Sequence, residues 1–485
     1  MNLFNAKRIA DPVHGTIGLS ALEAEIVSTR AFQRLRHIKH LGLAYYVFPG
    51  ADYSRFSHSV GVCHITGQIF QALQDAGQIK ISEEEVQNYR LAALLHDIGH
   101  YPFSHVMEDA IANHFNNGLL TKSNSSSENF PVENKITFDG PQFFRHQDLG
   151  KQVLLHDQEI NGLLKNASFD PKTIYGIFTR EEVLPYSNLV SSDLDADRID
   201  YLLRTAHYTG LPYGSVDLPY LLSQMRIEER AGKQPRLCLT EKALKTADHF
   251  LLCRYFDYQQ VTYHKTVAGL ECVLKNVLSA LIKASLIDGA AQEITSALQK
   301  EEWAWFDEIF VIQKMRQFVK MENNSVPDNL KVQAILNRVP PKLMVEYEAI
   351  KPRNESERKS FRRDRQALRE KIKQWSQEFE INESLWYVWD RDVTLTKIGS
   401  HLPQSAFYED VAEDEDGYQQ GIRIFDSNHN TSKSLVEIPY SLMSVLSNQA
   451  LYSLRLYLLL PSDKNQQKDK IIAKIKSDLP HMEWK

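Results

Sequence analysis

The chain has 485 residues, 43% of them hydrophobic and 24% charged, with a formal net charge of −6. That length exceeds one small core and predicts two or three packed regions of an ordinary globular protein. The acidic balance excludes a general nucleic-acid coat, which would be basic, but not an anionic substrate, because local arginines outweigh the overall sum. Residues 5–20 read as an extended hairpin turning at Pro12 and Gly15, and Ser20-Ala21-Leu22-Glu23 as a capping box that opens a helix. Helical periodicity dominates from there to about residue 115. The polar run around Ser123–Asn129 predicts a flexible loop over 118–140, with helices resuming near Gln147. Met225–Leu239 reads as a second hairpin around Arg230–Lys233, and Thr240 is placed to cap a long helix through Lys275. The charge-dense stretch 351–380 predicts a solvated helix packed through Trp375 and Phe379; the alternative is a nucleic-acid or subunit contact. After about residue 385 the pattern turns to strands at Leu385–Trp389, Gly421–Phe425 and Leu454–Leu459.

Cys63, Cys238, Cys253 and Cys272 are scattered without a CxxC pair, which fits a reducing compartment and argues against a disulfide framework or zinc ribbon. The first residues lack a signal-peptide apolar stretch. The run Leu451–Leu460 is too short to span a bilayer and is interrupted by Ser453 and Arg455. A cytoplasmic protein without membrane partners is the expectation.

The most informative pair is His96-Asp97, at the end of the apolar run Leu91–Leu95. Burying an imidazole and a carboxylate there is costly unless something pairs with them, and a divalent metal does so. Adjacent helical residues point about 100° apart, so the pair supplies at most two ligands. His58 and Asp197 are candidates for the rest, with Asp193 and Asp195 competing for the last place. Two His and two Asp leave about two positions open on a six-coordinate ion, which marks a catalytic rather than a structural site.

More motifs surround the pair. His-Asp-Ile-Gly-His-Tyr-Pro-Phe-Ser-His runs from His96 to His105. Asp11–Gly15, Phe32–Gly42 and Tyr46–Ala51 precede it, and Asp197-Arg198-Ile199-Asp200-Tyr201 follows. In this order and spacing, over roughly residues 5–275, the chain resembles the HD-domain deoxynucleoside triphosphate triphosphohydrolases. The resemblance implies a mainly α HD-domain helical bundle with small β-hairpins, and the strand pattern adds a C-terminal α+β region. The expected division is an HD phosphohydrolase core at 1–290, a helical extension with the charged helix at 291–384, and a smaller α+β region at 385–485.

It also implies His58, His96, Asp97 and Asp197 as ligands of one divalent ion (Mn, Fe, Co, Ni, Zn or Mg), with room for an additional Mg on substrate phosphates. His105 is the leading proton donor, since histidine titrates near neutral pH and Glu108, three residues on, is close enough on a helix to hold it. His146 matches a further active-site histidine, and His100, one turn from His96, orients substrate or water. Arg55 and Arg198 stand at phosphate-binding positions, as does Arg254 if His264-Lys265 anchors the register. Tyr201 and Leu41 pack the sugar, and His40 replaces a glutamine near base and sugar. Thr205 and Tyr258 depart from the aspartate and histidine of the family. Of the family's regulatory nucleotide site Lys7, Gln33 and Arg36 match, whereas Ala10 and Ser28 do not. The implied reaction is hydrolysis of a deoxynucleoside triphosphate to deoxynucleoside and tripolyphosphate by a homo-oligomer, a tetramer or hexamer. The alternatives are an HD phosphohydrolase acting on another nucleotide phosphoester (a 5′-nucleotidase or phosphodiesterase), or a non-catalytic module binding nucleotide or single-stranded nucleic acid. The acidic balance disfavours the last.

Overall fold

The computed structural model describes residues 6–123, 142–179, 184–190, 192–230, 235–322, 324–397 and 421–485. The fold is mainly α-helical. It opens on the hairpin β1 (Lys7–Asp11) and β2 (Gly15–Leu19), with Asp11 opposite Gly15. Asp11 Oδ1 accepts the amides of Val13 and His14 at the turn, and Gly15 has φ +72°, a left-handed conformation natural to glycine. Helix α1 (Ala21–Val27) starts in the expected capping box: the Glu23 amide donates to Ser20 Oγ, and the Ser20 amide donates to the Glu23 carboxylate.

The helices that frame the site are α2 (Arg55–Asp75), α3 (Glu83–Leu95), α4 (His105–Ser123), α5 (His146–His156) and α6 (Ala196–Thr209). Helix α4 runs to Ser123, so the loop expected from 118 starts later. Residues 124–141 of that loop lie outside the described residues. Leu91 to Leu95 are fully buried, so the end of α3 is a core segment that delivers His96 and Asp97 to the interior.

Helix α2 packs on both α3 and α6. Gly61 makes the second contact close. A Cβ there would lie 1.9 Å from Asp200 Oδ1 and 2.5 Å from Arg204 Nη2, so only glycine lets the polar face of α6 reach α2.

The second hairpin forms as β3 (Met225–Glu228) and β4 (Arg236–Thr240); residues 231–234 of its turn lie outside the described residues. The single long helix expected from Thr240 is corrected. Thr240 ends β4 and makes no side-chain cap. α7 (Leu244–Asp257) runs into a π-helical turn at Tyr258–Thr262, and α8 (Lys265–Lys283) begins anew, with His264 Nδ1 accepting the Thr266 amide. Such turns break the hydrogen-bond ladder and occur often at functional sites.

In the second half, β5 (Lys342–Pro352), the charged helix α9 (Glu355–Glu378) and β6 (Trp386–Thr394) precede β7 (Arg423–Asp426), β8 (Thr431–Ser434) and β9 (Gln449–Leu458). Strand β9 is the centre of an antiparallel sheet in the order β5-β9-β6. Strand β7 joins β4 in parallel, in the sheet β3-β4-β7-β8. Trp375 is fully buried on α9, as its spacing with Phe379 predicts. One apolar cluster runs from Ile17 to Met482, and β6 packs on α8. No helix among the described residues is long and apolar enough to cross a membrane.

Candidate active site

The loop from His96 to Ser104 folds tightly between α3 and α4. Gly99 permits it, since a Cβ there would lie 2.2 Å from both the Gly150 nitrogen and the His146 oxygen of α5. Phe103 and Ser104 take positive φ, 58° and 51°, strained for non-glycine residues at a cost of about 1–3 kcal/mol each. The strained Ser104 accepts a hydrogen bond from Arg55 Nε at 2.9 Å.

Four donors converge from α2, the end of α3 and α6. His58 Nε2 lies 3.0 Å from Asp197 Oδ1 and 3.9 Å from Asp97 Oδ2; His96 Nε2 lies 3.3 Å from Asp97 Oδ1 and 4.0 Å from Asp197 Oδ1. Ligands about 2.1 Å from an ion stand roughly 3.0 Å apart when adjacent and 4.2 Å when opposite; the ligand atoms of His58, His96 and Asp197, all within 4.8 Å of one another, fit one shared divalent cation, and Asp97 flanks that group, with Oδ1 toward His96 and Oδ2 toward His58. The outer contacts fit too. His58 Nδ1 donates to Asp200 Oδ2 at 2.8 Å and His96 Nδ1 to the Ala93 carbonyl at 2.8 Å, which leaves both Nε2 lone pairs facing the centre. Asp193 and Asp195 do not join: Asp193 faces Arg254 at 3.3 Å, and Asp195 caps α6 through the Arg198 amide.

The electrostatics describe a buried site waiting for positive charge. Burial pulls His58 down, but Asp197 and Asp200 outweigh it and lift the imidazole to about 9, so without an ion His58 keeps a proton on Nε2 that a bound cation would displace. Burial resists charging Asp97, yet Arg55, His96 and His100 hold its carboxyl well below the usual range. Asp197 is likewise held low, against burial, by His58 and His96. Arg55 Nη1 donates to Asp97 Oδ2 at 2.5 Å.

Beside this centre stand three histidines. His100 Nε2 lies 3.1 Å from Asp97 Oδ1, and its ring stacks on His146 at 4.3 Å. Burial and Arg55 push His100 well below 6.5, so it stays neutral. Glu108 lies between His146 Nδ1 at 2.9 Å and His105 Nδ1 at 3.7 Å, and its other oxygen accepts from Arg145. Burial opposes the Glu108 charge, but His105 and His146 outweigh it and keep the carboxyl ionised.

The four ligand residues, Arg55, Ser104, His100, His105 and His146 line one cavity of about 320 Å³, together with His40, Leu41 and Tyr201. His40, neutral by burial, sits 3.0 Å from Tyr53 Oη, which bonds Thr205 at 2.9 Å. Arg198 and Arg254 do not reach the cavity wall. Arg198 is buried against Asp195 at 2.6 Å and the Ser192 carbonyl, and Arg254 against Asp193. The matched regulatory residues are exposed or half-buried: Arg36 Nε donates to Gln33 Oε1 at 2.7 Å, and Lys7 borders a separate groove with Ser28 and Gln158.

Several residues of the site had no sequence assignment. Asp200 accepts from His14, His58 and Arg204, and Arg204 reaches on to Asp11. Asp200 lies three residues after Asp197, a spacing that puts both on one helical face, and that signal was available. His14 is 186 residues from Asp200 and carried none. Asp257, Glu271 and Arg391 line the cavity from α7, α8 and β6.

The HD domain family matches residues 55–204. The uncharacterised protein YwfO of Bacillus subtilis is 31% identical over 283 residues, 57% of this chain and 56% of that protein. The deoxynucleoside triphosphate triphosphohydrolase SAMHD1 of Gallus gallus is 30% identical over 280 residues, 56% of this chain and 44% of that protein. The crystal structure of a hypothetical protein from Aquifex aeolicus shares the fold, with a TM-score of 0.66 at 24% identity over 97% of this chain and all of that one. The chain thus spans about half the length of the curated relatives it matches. All four converging ligand residues fall inside the segment, residues 55–204, that matches the HD domain.

Proposed function

We propose that the protein hydrolyses deoxynucleoside triphosphates to deoxynucleoside and tripolyphosphate, with His58, His96, Asp97 and Asp197 holding a divalent ion. The observation that carries this reading is the convergence of His58, His96 and Asp197 within 4.8 Å of one another, flanked by Asp97 and set beside the His100–His105–His146 group. The chemistry such an ion supplies when bound is Lewis acidity toward a phosphoryl oxygen and a water of lowered pKa. Arg55, anchored on Asp97 and Ser104, offers positive charge to the α-phosphate and fixes its position. His105, exposed at the first turn of α4, delivers a proton to the departing 5′-oxygen, and Glu108 holds its imidazole in place. His146 shares the same carboxylate and steadies the donor. His100, kept neutral, orients water or phosphate from its perch on Asp97. Tyr201, Leu41 and His40 border the sugar. Arg198 and Arg254, behind Tyr201, add positive field rather than direct contact.

By the same resemblance the protein works as a cytoplasmic homo-oligomer, which light scattering on the purified chain tests. The reaction is tested by incubating the protein with each dNTP and NTP in Mn²⁺, Fe²⁺, Co²⁺, Ni²⁺, Zn²⁺ or Mg²⁺ and identifying products. Tripolyphosphate with deoxynucleoside supports the reading; orthophosphate or pyrophosphate refutes it.

A further inference from the structure

Three charged residues on the cavity wall have no part in the ion site or the histidine group; Asp257 already accepts from Tyr213 Oη at 2.7 Å, which leaves Glu271 and Arg391. Glu271 lies one turn after Val267 on α8, and Arg391 lies on β6, opposite Ser453 of β9. Both fall outside the segment matched as HD domain. No hydrogen bond to the Glu271 carboxyl occurs among the described residues; its neighbours are the charges of Arg391, His105 and Asp109. Burial pushes this carboxyl up to about 7, and Arg391 pulls it back. The carboxylate stands over the backbone of Gly42: an ideal Cβ at that glycine would be 3.7 Å from Glu271 Oε1. The Arg391 guanidinium is held by two rings, 5.3 Å from the Tyr263 centroid and 4.7 Å from that of Trp389, and Nη1 donates to the Asp390 carbonyl at 2.8 Å. A stacked guanidinium is pre-organised, so little entropy is lost when it binds a planar partner.

A nucleotide whose α-phosphate sits at Arg55 and the ligand cluster must lay its base along the remaining wall. That wall carries Leu41, Val261 and Val267, which suit the faces of a flat ring, and Glu271 and Arg391, which suit its edge. We propose that Glu271 and Arg391 read the nucleobase and select guanine. Guanine alone offers an adjacent donor pair, N1–H and N2–H₂, to a carboxylate and an adjacent acceptor pair, O6 and N7, to a guanidinium. This rests on the dNTP reading above.

The test measures kcat/KM for dGTP, dATP, dCTP, TTP and dITP, and equilibrium binding of dGTP and TTP, in wild type, Glu271→Gln and Arg391→Lys. The lysine keeps charge and stem but loses the fork, and thermal melting checks that each variant is folded. Wild type is expected to favour dGTP. Each variant lowers the dGTP-to-TTP ratio by about tenfold to a hundredfold, the usual worth of one bidentate base contact. The Glu271→Gln penalty shrinks for dITP, which lacks the N2 amine. Variants that fold yet keep the wild-type ratio overturn the inference, and so does wild type that neither hydrolyses nor binds with base preference. If no dNTP is hydrolysed but dGTP-selective binding falls in both variants, the catalytic reading fails and base recognition stands.

Discussion

Asp200→Asn tests whether the ion site is held from behind. Asp200 is fully buried and accepts four N–H groups: His14 Nε2 at 2.6 Å and Arg204 Nη2 at 2.9 Å on Oδ1, and His58 Nδ1 and Arg204 Nε, both at 2.8 Å, on Oδ2. Burial resists this charge, but Arg204, His14 and His58 outweigh it and hold the carboxyl well below 3.8. An amide keeps the shape but turns one oxygen into a donor. Whichever way it flips, two of the four contacts become donor against donor, and Arg204 loses half its neutralisation. Breaking a buried pair from one side costs about 3–5 kcal/mol. If the amide turns its nitrogen to His58, the ring loses its Nδ1 acceptor, and the fixed tautomer is released. Loss of such an outer contact lowers metal affinity about 10–100-fold. Guanidinium unfolding near neutral pH measures the first effect, and metal titration of the apo protein measures the second. A variant within about 0.5 kcal/mol of wild type and with unchanged ion affinity would refute both the burial argument and the role of Asp200 behind His58.

Asp97→Ala removes an anionic ligand, and elemental analysis of the purified variant is expected to show metal lost together with turnover. His105→Ala leaves all four ligands in place; metal content stays at the wild-type level while hydrolysis slows about 10²-fold or more, and unchanged rates would reassign the proton donor. Gly61→Ala forces a methyl into Asp200 and Arg204 and is expected to cost about 1–3 kcal/mol or more by denaturant unfolding. Glu308 is buried, accepts the Lys39 amide at 2.9 Å and is pushed up by burial to about 7 from 4.5. Between those values the native state binds more protons than the unfolded one, so its contribution makes stability fall as pH rises from about 4.5 to about 7. Glu308→Gln flattens that decline, and a slope of stability against pH identical to wild type would contradict it.

Much of the site was legible because its signals are local. An apolar run ending in His-Asp, a second histidine at the start of an amphipathic helix and an Asp-rich helix start each read within a few residues, as did the capping box at Ser20. Periodicity alone reads a continuous helix from Thr240, because it cannot show that the ladder breaks into a π turn at Tyr258–Thr262, where Tyr258, Val261 and Thr262 border the cavity. Arg198 and Arg254 illustrate a second gap. Their type and position suit phosphate, but whether a guanidinium turns outward or pairs with Asp195 or Asp193 depends on packing.

By itself the amino-acid order determined the mainly helical class, the hairpins and the side chains able to bind an ion, since propensity, capping and donor chemistry act over a turn or two. Only the tertiary structure decided that Asp200 backs His58, that His14 joins it from 186 residues away, and that a strand beyond residue 385 brings Arg391 to the cavity. Those contacts exist because burial of apolar faces closes distant segments onto one another. Nothing in a local run of residues records which partners that closure will select.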